Sequence, residues 1–187
     1  MVVGSRTVVL VEGVSDQLAV QALAERYDRD LAAEGISLQP MGGATNIGHF
    51  LERFGPHGSD LGLAGLCDQG EIRFFQRGFE RAGLGTGLTE ADLAERRFFV
   101  CVSDLEDELI RSLGVAEVED ILSEQGDLAS FRTFQQQPAQ QGKSDQARLR
   151  RFMGTQGGRK IHYAPVLVQA LDLARVPRPL AGLLAAI

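Results

Sequence analysis

The sequence predicts an α/β protein with a four-stranded parallel sheet flanked by helices and a helical extension at the C-terminus. Four short apolar runs alternate with segments of helical spacing, in the order β-α-β-α-β-α-β-α. Such alternation is typical of parallel strands joined by helical crossovers. Residues 116–187 instead show several short helical patterns, without strand signals, around a polar glutamine-rich stretch at 135–146. We expect this stretch to be an exposed connection.

The first strand and helix are the best marked in the chain. Residues 7–11 (TVVLV) form a β-branched apolar run, as expected of a buried strand. We expect Ser15 to cap the helix that follows and Gly35 to end it. A weaker strand is predicted at 36–41. Because Pro40 lacks an amide donor, this strand should end there or lie at a sheet edge.

The rest of the alternating region is divided by turn signals. Gly42 and Gly43 predict a turn, and Thr89 with Asp92 forms the pattern of a capping box. The remaining predicted elements are a helix at about 46–54, a strand at 61–67, a helix that includes 74–82, a strand at 98–102 and a helix at 105–113.

The composition excludes several classes of protein. A chain of 187 residues that is 44% hydrophobic and 24% charged is globular and not disordered. It has no run of 18 apolar residues, so a transmembrane helix is not expected, and its N-terminal apolar stretch is too short for a signal peptide. Two cysteines without a CxxC pattern exclude a disulfide scaffold. We therefore predict a reduced, cytoplasmic protein without membrane contact.

The charge is unevenly distributed along the chain. The total is −6, yet residues 143–187 carry eight basic and two acidic side chains, a net charge of +6. Residues 1–142 carry eleven basic and twenty-three acidic side chains, a net charge of −12. An acidic body with a basic tail suits a protein that holds cations with one part and phosphates with the other, although ordinary solvated faces would give the same asymmetry.

Acidic residues follow three of the four predicted strands. Glu12 follows the first strand, Asp68 the third and Asp104 the fourth, while Asp16 and Glu106 lie close by in the next helices. In an open parallel sheet the carboxyl ends of the strands meet at one edge, where ligands bind. Carboxylates crowded there repel one another unless a cation compensates, and oxygen ligands alone suit Mg²⁺ or Mn²⁺. Singly, each acid would also suit a turn or the first turn of a helix.

With these residues in place, the chain resembles the Toprim domain, most closely that of the OLD (overcoming lysogenization defect) nucleases. The motifs are LVEGVSD at 10–16, GGATN at 42–46, LCDQGE at 66–71 and SDLEDEL at 103–109. The resemblance implies a Toprim-like, Rossmann-like catalytic domain over residues 5–115, followed by a basic helical extension at 116–187. Complete OLD proteins carry an ATPase domain before the Toprim domain. We expect this chain to be a stand-alone form that lacks it, with a separate ATPase as a possible partner.

The resemblance also implies a catalytic site that holds one or two divalent ions, Mg²⁺ or Mn²⁺. Toprim domains usually carry an Asp-x-Asp motif, whereas residues 68–70 read Asp-Gln-Gly, so Glu71 is the expected substitute. A C-terminal lysine assists OLD nucleases, and Lys160 in GGRKIHYA fits that role better than Lys143, the other of the two lysines. The implied metal ligands are Glu12, Asp16, Asp68, Glu71, Asp104 and Glu106, with Glu12 and Lys160 as the catalytic pair.

Nucleic acid is the expected partner, DNA rather than RNA. Arg150, Arg151 and Arg159 are placed to contact phosphates, although a solvated helix face would show the same pattern. The Gly42-Gly43 turn would let backbone amides approach a phosphate. Asn46 would lie beside that turn, or would simply cap a helix.

Metal-dependent phosphodiester hydrolysis is the leading functional hypothesis. A nucleotidyl transferase of the primase kind uses the same acids and ranks second. A non-catalytic nucleic-acid-binding or regulatory module is a third possibility, because the second Asp of the usual motif is missing. A phosphate-accepting receiver would use Asp68, Ser103 and Lys160, but it leaves the SDLEDEL acids unexplained.

Overall fold

A computed structural model describes residue 4 and residues 6–187, so the predicted domain start at residue 5 lies outside the described residues. Four strands form one sheet, and every strand pair is parallel. The strands are β1 (Thr7–Val11), β2 (Ile36–Pro40), β3 (Gly62–Asp68) and β4 (Phe98–Cys101). Their order across the sheet is β2-β1-β3-β4, which makes β2 an edge strand as its proline predicted. The predicted four-stranded parallel sheet is confirmed.

Helices surround the sheet and make up the whole C-terminal part. Those of the alternating region are α1 (Val14–Arg26), α2 (Ile47–Phe54), α3 (Ile72–Arg81), α4 (Glu90–Glu95) and α5 (Leu105–Leu113). Those of the extension are α6 (Val115–Glu124), α7 (Leu128–Gln135), α8 (Asp145–Met153), α9 (Arg159–Ala170) and α10 (Arg178–Ala186). Within residues 6–187 no strand follows β4, as the sequence predicted.

The sheet is the middle of three layers, because side chains of a strand alternate between its two faces. In β1, Val8 and Leu10 pack into a core with α2, α3 and α4. Val9 and Val11 pack into a second core with α1 and with helices α5 to α10. A strand buried on both faces reads as a continuous apolar run, which is why TVVLV was recognisable in the sequence.

The C-terminal helices share a core with the sheet. Helix α9 packs against α1 and α5, and α10 packs against β3 and β4. Arg26 at the end of α1 donates a hydrogen bond of 2.8 Å to the carbonyl oxygen of Val168 in α9. Gly182 in α10 lies so close to the ring of Phe99 that a Cβ would stand 2.7 Å from it. The helices after the predicted division at 115/116 therefore cover one face of the sheet.

The strand order reverses between β1 and β3. The chain moves from β1 to β2 on one side, and then crosses to β3 and β4 on the other side of β1. In open α/β sheets the carboxyl ends of the two strands at such a reversal border a crevice in which ligands bind. Glu12 directly follows β1 and Asp68 ends β3, so both lie at this crevice.

Two details of the first helix were predicted wrongly. The N-cap of α1 is Gly13, and Ser15 lies inside the helix. The Asp16 carboxylate, in the first turn of the helix, accepts a 2.9 Å hydrogen bond from the amide of the N-cap residue Gly13. The helix ends at Arg26, and turns with a positive φ at Asp28 separate it from Gly35.

Elsewhere the turn chemistry is mostly as predicted. Thr89 accepts from the Asp92 amide and the Asp92 carboxylate accepts from the Thr89 amide, so the predicted capping box is confirmed. The glutamine-rich stretch is largely exposed, as predicted, except that Gln140 is buried. Its carbonyl oxygen accepts a hydrogen bond of 3.1 Å from Arg148. No helix among residues 6–187 is long and apolar enough to span a membrane.

We predict that Gly65→Ala will destabilise the protein by about 1–3 kcal/mol, because overpacking a tight core forces its neighbours apart. A Cβ at Gly65 would collide with the carbonyl oxygen of Leu10 and lie 2.8 Å from the Phe98 ring. Urea unfolding gives the free energy of unfolding. Gly157→Ala is the matched control, because a Cβ there meets no atom within 4 Å. Equal stability of the two variants would contradict the tight packing of β3.

Candidate metal centre and adjoining basic cavity

Three carboxylates lie together at the crevice between β1 and β3. Glu12 and Asp68 are held next to each other, because the Asp68 amide donates a hydrogen bond of 3.4 Å to the Glu12 carboxylate. Asp16 lies in the first turn of α1, where its bond to the Gly13 amide fixes the carboxylate. Strand ends and the start of a helix thus bring these acids together.

Burial and mutual repulsion make these carboxylates hard to ionise. The pKa of Glu12 is raised to about 7 by burial, by the charge of Asp16 and, to a lesser degree, by that of Glu71. The pKa of Asp16 is raised to about 6 by burial and by the charge of Glu106. The pKa of Asp68 is raised to about 8 by burial and by the charges of Glu12 and Asp16. Such a site gains free energy from any cation that compensates the carboxylates.

Two further acids on α5 are already compensated. Asp104 is the N-cap of α5 and accepts a 2.7 Å hydrogen bond from Nε of Arg150. Glu106 accepts a 2.8 Å hydrogen bond from Nζ of Lys160. Both acids are buried, and both partners come from the basic C-terminal part, Arg150 from α8 and Lys160 from α9. The extension therefore supplies cations to the acidic edge of the sheet.

Two residues that hold α5 in place, Asp107 and Glu108, were not predicted from the sequence. Glu108 accepts a 2.8 Å hydrogen bond from the Val102 amide and forms an ion pair of 2.8 Å with Arg111. Asp107 accepts a 2.9 Å hydrogen bond from Gln146 of α8. The spacing of Glu108 and Arg111 on one helix face was a signal that could have been used. Nothing local in the sequence relates Asp107 to Gln146.

The donor set fits a hard divalent cation in its chemistry. The candidate ligands Glu12, Asp16 and Asp68 are all carboxylates, and burial together with the charges of neighbouring acids raises the pKa of each of them. Among residues 6–187, however, no three His, Cys, Asp or Glu side chains are already arranged as a closed ligand set. These carboxylates would therefore have to change position to hold an ion together.

Gly70 stands at the position of the second Asp of the usual Asp-x-Asp motif, and the space beside it is unfilled. Glu71, the expected substitute, lies at the N-cap of α3, near enough for its charge to raise the pKa of Glu12. At Gly70 a Cβ would meet no atom within 4 Å, and the backbone there does not have a positive φ. An acidic side chain at residue 70 would consequently fit without strain.

The Gly42-Gly43 turn lies at the same edge of the sheet. Both glycines have positive φ, 71° and 117°, and the Gly43 amide donates to the carbonyl oxygen of Glu12 over 3.0 Å. Asn46 does not cap α2 through its side chain, which instead donates a 2.9 Å hydrogen bond to the Met41 carbonyl oxygen. The turn is thereby held beside Glu12.

The three arginines proposed to contact nucleic acid have different surroundings. Arg150 and Arg151 line a cavity of about 200 Å³ together with Asp104 and Lys160. Arg159 instead packs over the Phe152 ring at 3.9 Å, bonds to Thr155 and Gln156, and has a side chain that is only 10% exposed. The expectation that Arg159 contacts phosphates is therefore not supported by its position.

We predict that the melting temperature of the metal-free protein will fall as the pH rises from about 5 to 8. The folded-state pKa values of Glu12 and Asp68, about 7 and 8, exceed their ordinary values of 4.5 and 3.8. In this window the folded state binds more protons than the unfolded state, so each increase in pH favours unfolding. Thermal melts in EDTA measure this dependence, and Asp68→Asn should flatten it. A melting temperature that does not change over this range in the wild type would contradict the crowding of these acids.

Known proteins resemble this chain in sequence over one part and in structure over nearly all of it. Residues 5–63 match the family model described as the overcoming lysogenization defect protein-like TOPRIM domain. The C-terminal region of the OLD protein of Xanthomonas campestris pv. campestris is similar in structure, with a TM-score of 0.74 and 23% identity over 98% of this chain and 92% of that one. No curated protein matches the chain in sequence.

The C-terminal region of the Burkholderia pseudomallei OLD protein has a TM-score of 0.72 with 22% identity, over 97% of this chain and 96% of that one. At such identities the likeness concerns the fold, whereas the family match concerns the sequence from β1 to the start of β3. Residues 5–63 therefore resemble the OLD-like Toprim domain in sequence, and nearly the whole chain has the fold of the C-terminal regions of OLD proteins.

Proposed function

We propose that this protein is a divalent-metal-dependent nuclease that hydrolyses phosphodiester bonds of DNA. The observation that carries the proposal is the pairing of a carboxylate crevice with cations from the extension. Glu12, Asp16 and Asp68 lie at the strand reversal, and Lys160 and Arg150 reach α5 next to them. A bound Mg²⁺ or Mn²⁺ would activate water and stabilise the leaving oxygen of the scissile phosphate.

The side chains divide the remaining work. Glu12, Asp16 and Asp68 would hold one ion, and Asp104, Glu106 and Glu71 are the candidates for a second. The Lys160 ammonium is a compact charge on a flexible stem, suited to neutralise charge that develops on the phosphate in the transition state. The Gly42-Gly43 turn and Arg151 would position the flanking nucleic-acid backbone.

A nuclease assay on single- and double-stranded DNA and RNA, with Mg²⁺ and with Mn²⁺, tests the proposal. We expect cleavage of DNA that EDTA abolishes and that Glu12→Gln lacks. Absence of cleavage of every substrate with both metals would overturn the nuclease proposal. Incorporation of labelled nucleotides in place of cleavage would favour the nucleotidyl transferase.

We predict that Lys160→Gln will lower the rate of single-turnover cleavage by about a hundredfold or more, because it removes a positive charge that stabilises the transition state. Single-turnover cleavage with the enzyme in excess isolates this step from substrate binding. Lys143→Gln is the matched control, since Lys143 bonds to Gln140 away from the crevice. If both variants cleave at the wild-type rate while Glu12→Gln is inactive, Lys160 has no part in the chemistry.

A metal-binding module without catalysis is the second candidate, favoured by the glycine at residue 70. We predict that Gly70→Asp will strengthen metal binding or add a second ion, because the space there is open and the motif becomes Asp-x-Asp. Calorimetric titration with Mn²⁺ gives the number of ions and their affinity.

Gly157→Asp adds the same charge at another open glycine and serves as the control. A gain in cleavage for Gly70→Asp from an inactive wild type would identify the natural chain as the module. Unchanged metal binding in Gly70→Asp would show that residue 70 lies outside the metal centre.

A further inference from the structure

The two ion pairs that join the extension to α5 are asymmetric. The side chains of Asp104 and Glu106 are only 11% and 5% exposed, whereas those of Arg150 and Lys160 are 44% and 42% exposed. Asp104 is also fixed by accepting a 2.9 Å hydrogen bond from the Asp107 amide. The acids are therefore held in place, and the cations are long side chains with one end in solvent, free to turn outward.

A buried carboxylate does not lose its partner cation without replacement, because an uncompensated buried charge is strongly unfavourable. Nζ of Lys160 lies 2.8 Å from the Glu106 carboxylate, and Nε of Arg150 lies 2.7 Å from the Asp104 carboxylate, so each acid is compensated by one cation. A divalent ion held by Asp104 and Glu106, the acids proposed for a second ion, would compensate these carboxylates in place of the two side chains. Arg150 and Lys160 would then be released as cations.

A cavity in which the released cations could bind an anion lies beside them. The cavity of about 200 Å³ is lined by Asp104, Ala147, Arg150, Arg151, Gly154 and Lys160. Three of its six lining residues are cationic, and its single acid is the one that Arg150 neutralises. Once a metal ion compensates Asp104, the other charged side chains that line the cavity, Arg150, Arg151 and Lys160, are all cationic, which suits an oxyanion.

We propose that Arg150 and Lys160 alternate between two partners, pairing with Asp104 and Glu106 when no divalent ion is bound and with a phosphate in the adjoining cavity when one is bound. The proposal rests on the metal site of the proposed function and assigns to it a regulation: the metal ion and the phosphate bind cooperatively. Because such coupling is reciprocal, phosphate must strengthen metal binding by the same factor by which metal strengthens phosphate binding.

Calorimetric titration with Mg²⁺, in the presence and absence of inorganic phosphate, measures the coupling. We expect phosphate to raise the Mg²⁺ affinity of the wild type by about fivefold or more, within the usual range for coupled sites. Titration of Glu12→Gln under the same conditions corrects for Mg²⁺ that binds phosphate in solution. A second series replaces inorganic phosphate with an oligonucleotide that has hydroxyl groups at both ends and phosphorothioate linkages to slow cleavage. This series distinguishes internal phosphodiesters from free or terminal phosphate as the source of the anion.

Arg150→Gln and Lys160→Gln test the alternation directly. Each removes a cation that competes with the metal, so Mg²⁺ affinity without phosphate should rise, while the effect of phosphate should fall below about twofold. A lysine or arginine that only stabilises the fold or the transition state would not produce this opposite pair of changes. Arg148→Gln is the matched control, because Arg148 lies on the same helix and pairs with the exposed Asp145. It should leave both quantities unchanged.

The outcomes separate this inference from the function on which it rests. Mg²⁺ binding that neither phosphate nor the oligonucleotide strengthens would overturn the alternation and leave the metal site standing. Variants that bind Mg²⁺ more weakly than the wild type would also overturn it, because the cations would then support the ligands. Absence of Mg²⁺ binding in the wild type would overturn both the inference and the metal-dependent function.

Discussion

Repulsion among carboxylates at one edge of the sheet is the constraint on which the rest of the structure depends. Glu12, Asp68 and Asp104 are brought there because parallel strands place their carboxyl ends on the same side. Burial raises the pKa of Glu12 and Asp68, and each acid raises that of its neighbours further. A fold that gathers negative charge in this way requires positive charge from elsewhere.

The C-terminal helices supply part of that charge. Arg150 and Lys160 lie far along the chain from the strands, yet they reach Asp104 and Glu106 at 2.7 and 2.8 Å. The acidic N-terminal part and the basic C-terminal part that the composition indicates are thus joined by these two ion pairs. Solvated faces, the alternative explanation of the charge asymmetry, do not account for pairs whose acids are buried.

The sheet and most of the acid positions could be predicted because they depend on local patterns. The run at 7–11 is apolar on both faces of its strand, and the acids follow directly where such runs end. The start of α1 was wrong because a hydroxyl at Ser15 resembles a cap, while the Asp16 carboxylate satisfies the amide. The ion pair of Arg150 with Asp104 joins residues 46 positions apart, and such a contact leaves no local pattern.

The packing of α9 and α10 on the sheet has a consequence for how such a chain can evolve. Helix α9 shares a core with α1, and α10 shares it with β3 and β4. The position of Lys160 relative to the acids therefore depends on the apolar side chains between α9 and α1. Helix α9 cannot be replaced by the corresponding helix of a relative on its own, because the surface of α1 against which it packs would have to change as well. Apolar residues at the contact between α1 and α9 should therefore covary among relatives.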